Sequence, residues 1–196
     1  MTGFAALLLA VAPPSYFPPP DAVALAGCTS VVAVGSGGRL DRSREWLERE
    51  LAATGEASLY ALARTGNADV VRFVWVPSFH PAIKVRIEGL ASAAPRLIAE
   101  QGTEGGGHGS AGVGAKVDRR LTWDEVTAIR PLLDARALFA PQPHGAVAML
   151  DGAQWLVERA VGGCYTVGIE HSPDGGEVHA AGEALVRLTG WNVDLY

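Results

Sequence analysis

The sequence predicts an α+β fold: a single twisted antiparallel sheet of about five to seven strands with about three helices. Three observations carry this expectation. The last third of the chain, from Asp151 to Gly190, reads as a hairpin followed by a helix. Strand-like segments elsewhere are joined by short turns, which antiparallel pairing permits and parallel pairing does not. Helix-like segments fall among them too irregularly for the strand-helix alternation of a parallel sheet. The 196 residues, 48% hydrophobic and 19% charged, suit one globular domain with one core. The expected division is residues 1–34 as an apolar and Pro-rich leader or N-terminal arm, and residues 35–196 as a single α+β domain.

The elements follow in order. Asp41 to Ala53 has helix character, with Asp41 or Ser43 as cap, Trp46, Leu47 and Leu51 as an apolar stripe, and Gly55 as a stop. Leu59 to Arg64 and Ala68 to Val76 read as strands around a Thr65-Gly66-Asn67 turn, with Val71, Phe73 and Trp75 facing the core. Ile83 to Glu88 alternates apolar and charged residues with the period of two that marks a half-exposed strand. Arg96 to Glu100 and Lys116 to Leu121 are further strands, separated by a glycine-rich segment from Gly102 to Gly114.

Thr122 and Glu125 form a capping box ahead of Val126, Ile129, Leu132 and Leu133, and Pro131 should bend or end that helix or else begin a second short one leading to Leu138-Phe139. In the last third, Trp155 and Val157, with Arg159 a less certain member of the set, lie on one strand, and Gly162-Gly163 supplies the turn. Tyr165, Val167 and Ile169 carry the returning strand. Val178, Ala181, Leu185 and Leu188 line one side of a final helix ended by Gly190. Helices are expected on one sheet face, with the other partly open or facing a partner.

Charge excludes two function classes. A net charge of −5 and a pI near 5.5, with Arg and Lys scattered among acids, provide no basic stripe to displace counterions from nucleic-acid phosphates. Anionic membrane binding fails for the same reason.

The two cysteines, Cys28 and Cys164, belong to no CxxC pair and stand at no ligand spacing from a histidine. They could pair, remain thiols, or be separated by processing. Phe4 to Ala12 has the length of a signal-peptide core. Leu25-Ala26-Gly27-Cys28 resembles a bacterial lipobox, which makes Cys28 the lipidation candidate and a lipid anchor the one route to a membrane. Proline-rich residues 13–20 interrupt the two signals. Both a cytoplasmic location and export to the envelope therefore stay open.

Catalytic syntax is sparse. The glycine-rich segment lacks the Gly-Lys-Ser/Thr opening of a phosphate loop and sits in no βαβ unit. Ser110 lacks the Gly-x-Ser-x-Gly elbow, because His108 stands two residues before it. The histidines His80, His108, His144, His171 and His179 form no HxH, HxxxH or HExxH pair, so no metal site and no cofactor is expected. Asp151 and Glu158 read as surface acids, Cys164 as a small buried hydrophobe of a strand and not a nucleophile, and the five tryptophans as core anchors.

Several segments together resemble a pattern found in small uncharacterised bacterial proteins: Arg72 to Pro81 (RFVWVPSFHP), Val85-Arg86, Asp151 to Glu158 (DGAQWLVE), Gly163-Cys164-Tyr165, Ser172-Pro173 and Gly182 to Gly190. The pattern covers the chain from about Ala68 onward. In it a Trp often precedes the Ser-Pro, where this chain has His171. The resemblance implies a bacterial origin and a shared fold and carries no catalytic residue across. The leading expectation is a non-enzymatic domain that binds a protein or surface ligand through an exposed sheet face and the glycine-rich loop. The alternative is a hydrolase or metal-dependent enzyme in which His80, His108 or His144 meets Asp151 or Glu158.

Overall fold

The computed structural model describes residues 15–18, 39–53, 55–105, 112–134, 138 and 151–196. Six strands form one antiparallel sheet: β1 (Asp69–Pro77), β2 (Pro81–Glu88), β3 (Arg96–Gly105), β4 (Val113–Arg120), β5 (Ala153–Val161) and β6 (Cys164–His171). Their order is β4-β3-β2-β1-β5-β6. The helices are α1 (Arg39–Ala53), α2 (Leu59–Ala63), α3 (Trp123–Asp134) and α4 (Gly176–Leu188). The fold is α+β, as expected.

β1 comes first in sequence but lies inside the sheet, hydrogen-bonded to β2 on one side and to β5 on the other. Its two side-chain parities build two cores. Val71, Phe73 and Trp75 join Ile83, Val85, Ile87, Leu97, Trp155 and Val157 beneath apolar residues of α3 and α4. Val70, Val74 and Val76 face the other way, with Leu156, Ala160, Tyr165, Val167 and Ile169, against Leu47 and Leu51 of α1, Leu59 and Ala63 of α2, and Phe17. The expectation of helices on one face is thereby corrected. β1 and β5 carry apolar residues at both parities, and strands of that kind need cover on both sides.

Leu59 to Arg64, expected as a strand, is helical as far as Ala63, with Arg64 as the C-cap. Ser58 Oγ accepts a hydrogen bond from Ala61 N at 3.0 Å and caps α2. Elsewhere the local signals hold. Gly162 and Gly163 have φ of 55° and 87°, the positive pair a two-residue type I′ hairpin turn requires. Thr122 N donates to Glu125 Oε2 at 2.8 Å, and Glu125 N donates to Thr122 Oγ1 at 3.3 Å, which completes the capping box. Pro131 sits inside α3, which ends three residues later at Asp134. Gly182 lets α4 close on the sheet, because a Cβ there would lie 2.7 Å from ring atoms of Phe73 and Trp155.

Trp75 and Trp155 are core anchors as expected, whereas Trp123 is 79% exposed at the start of α3. Cys164 is disulfide-bonded. The only other cysteine in the sequence, Cys28, lies outside the described residues, as do the apolar run 4–12, His108 and His144.

Candidate functional site

The second sheet face changes character across β1. Opposite Glu158 of β5, the register places Arg72. Arg72 Nε donates to Glu158 Oε2 at 2.8 Å, and Tyr165 OH donates to Glu158 Oε1 at 2.8 Å. Arg72 Nη2 lies 2.7 Å from Glu158 Oε2 but off the line of its N–H, so that contact is ionic and not a second hydrogen bond. Both charged side chains are fully buried.

On the other side of β1, Arg72 stands directly across from Arg86, a like-charge pairing that would be unfavourable alone. Glu56, from the segment between α1 and α2, resolves it. Its Oε2 accepts from Arg72 Nη1 at 3.1 Å and from Arg86 Nη1 at 2.7 Å, while Lys84 Nζ stands 3.7 Å from Oε1. Lys84 Nζ also donates to Glu100 Oε2 at 2.9 Å, and Lys116 Nζ donates to Glu100 Oε1 at 3.0 Å.

The result is a ladder of alternating charge that takes a residue from each of the six strands, from Tyr165 to Lys116. It runs from fully buried at Glu158 to 56% exposed at Lys116. Burial alone would push the Arg72 guanidinium down, but Glu158 and Glu56 together hold it above its ordinary value. The hydrogen bond from Lys84 is the main reason the Glu100 carboxyl sits below its usual range.

Beyond β1 the apolar layer of this face stops; among the described residues its members come from β1, β5 and β6, with Ala82 of β2 at the margin. Over β3 and β4 the face is charged and accessible. Arg96 grips Asp118 through two hydrogen bonds of 2.7 Å, with the pair 52% and 38% exposed. Arg120 lies exposed beside them.

The predicted site residues are divided between places. Glu158, expected at the surface, is buried in the ladder with its oxygens engaged by Arg72 and Tyr165. The residue sits on a strand covered on both faces, and a charge there needs a buried partner. Sequence reasoning missed Arg72, although an arginine inside Val70-Val71-Arg72-Phe73-Val74-Trp75 and a glutamate inside Trp155-Leu156-Val157-Glu158 are matching signals.

His80 and Asp151 both reach the end of the sheet where β1 and β5 meet, where Ser78 N donates to Gly152 O at 2.8 Å. They share no hydrogen bond. His80 Nδ1 bonds the Tyr196 hydroxyl at 3.0 Å, and Trp75 and Trp155 Nε1 both point to Tyr196 O, at 3.5 and 3.0 Å. Phe79 and Val113 are exposed at this same end.

His171 is a turn residue. Gln154 Nε2 donates to its Nδ1 at 2.7 Å, which leaves the proton on Nε2 to be donated to Asp151 O at 3.0 Å. Its neighbour Ser172 has φ of 40° and accepts from Ala153 N at 2.8 Å, so its strained backbone serves the closure of the hairpin. His179 stacks on Trp155 with ring centroids 5.2 Å apart.

No group of three or more His, Cys, Asp or Glu side chains among the described residues could hold a metal ion. No described helix is long and apolar enough to cross a membrane. Comparison with known proteins found no matching family model, curated protein or solved structure.

Proposed function

We propose that this chain is a non-enzymatic binding domain of the bacterial cell envelope, which engages a protein partner through the charged half of its second sheet face. The observation that carries the reading is the break in cover at β1. The same face is packed beneath α1 and α2 over β5 and β6, yet over β3 and β4 it presents Arg96, Lys116, Asp118 and Arg120. Arg96 pairs with Asp118 and Lys116 with Glu100 inside the face, so it offers both signs of charge in fixed positions. Such a surface favours a partner of complementary pattern over a polyanion. The bacterial setting follows from the resemblance of residues 72–81 and 151–158 to small bacterial proteins.

The test compares wild type with a Lys116→Glu/Asp118→Lys variant as immobilised bait for a bacterial envelope extract. Wild type should recover a saturable partner at low ionic strength that is released as salt is raised, and the variant should not recover it. Equal recovery by both proteins, or none by wild type, would remove the face from consideration.

A further inference from the structure

Residues 15–18 lie upstream of the Leu25-Ala26-Gly27-Cys28 sequence, yet they are built into the second core. Phe17 has no exposed surface and belongs to the cluster of Leu47, Leu51, Leu59 and the apolar residues of β1, β5 and β6. Its neighbours are anchored. The Ser58 hydroxyl donates to Ser15 O at 2.7 Å, and the Tyr16 hydroxyl donates to Glu56 O at 2.7 Å. Glu56 is the carboxylate that separates Arg72 from Arg86, so the arm also clamps the centre of the charge ladder. Cys164, meanwhile, is disulfide-bonded.

We infer that Cys28 is not the lipidated first residue of a mature lipoprotein: the mature chain keeps residues 15–18, and any leader is cut upstream of Ser15. Lipoprotein processing would break the Gly27–Cys28 peptide bond and release Phe17 with everything before it. That would empty a site the size of a phenylalanine ring in the second core and leave Ser58 and Glu56 without their arm contacts. A thioether lipid on the Cys28 sulfur would also consume the one other cysteine thiol of the chain, leaving Cys164 no partner within it. Forming the disulfide removes two protons and two electrons from two thiols. A thiol-disulfide oxidant accepts them, a reaction that belongs to oxidising compartments outside the cytosol. The inference does not depend on the binding role proposed above.

The full chain, carrying a C-terminal affinity tag and produced in a bacterial host that processes lipoproteins, is analysed by intact mass before and after reduction. The expected species starts at or before Ser15, carries no diacylglycerol, and gains about 2 Da on reduction. A start beyond Ser15, above all at an acylated Cys28, would overturn the inference, and so would a mass unchanged by reduction. A second measurement is independent of the host's processing. Phe17→Ser in the full chain should lower Tm on the order of 10 °C, and an unchanged Tm would show the arm to be dispensable and would equally overturn the inference.

Discussion

Removing the Glu158 carboxylate leaves the Arg72 guanidinium charged in the interior with one of its two acids gone. Glu158→Ala should therefore cost about 3–5 kcal/mol in urea-unfolding free energy. The double variant Arg72→Met/Glu158→Leu removes both charges and should recover most of that loss, because apolar side chains of similar volume need no counter-charge. If the double variant proved as unstable as the sum of the single ones, the pair would not be coupled as the geometry indicates. This residue pair also marks where sequence reasoning stops. Each charge was visible inside an apolar run, but their meeting depends on a β1–β5 register that joins positions 86 residues apart.

At the scale of the element, short-range chemistry and the inward side of each element were legible, as at Val71, Phe73 and Trp75, whereas the pairing of elements was not. The Gly162-Gly163 turn and the Thr122–Glu125 box depend on neighbours a few residues apart, and both formed as read. Leu59 to Ala63 was misread because its apolar pattern is compatible with either period, although the Ser58 cap was available as a signal. That the apolar layer of the second face would stop at β1 could not be read from any one strand, because it depends on which strands are neighbours.

The capping box also yields a pH prediction. The hydrogen bond from Arg119 is the main cause that holds the Glu125 carboxyl down at about 2, and Arg119 Nη2 also donates to Leu188 O at 2.7 Å, tying β4 and α3 to the end of α4. A depressed carboxyl adds stability above its unfolded pKa of about 4.3 and loses it as the pH falls through the folded value. The stability difference between wild type and Glu125→Gln should be full above about pH 5 and shrink toward about pH 2. A difference that stays constant over that range in thermal melts would rule out this role for the ion pair.

At the scale of the molecule, cover is graded across the sheet. β1 and β5 are paired on both edges and packed on both faces, whereas β4 is an edge strand with one accessible face. Amide hydrogen exchange followed by mass spectrometry should find β1 and β5 the slowest strands, near the global unfolding limit, and β4 faster by orders of magnitude. Equal protection of β4 and β1 would mean that the second face over β3 and β4 is covered in solution.

The interior position of β1 also sets the order of events during synthesis. Residues 69–77 emerge early, but one edge of their strand has no partner until residues 153–161 have followed. At about 5–20 residues per second, the 86 positions between Arg72 and Glu158 represent roughly 4–17 s of translation. Throughout that interval neither core can close, and Arg72 has only Glu56 of its two acids. A nascent chain of this strand order cannot complete its fold until its last third is made, and until then the free edge of its most apolar strand is open to pairing with other chains.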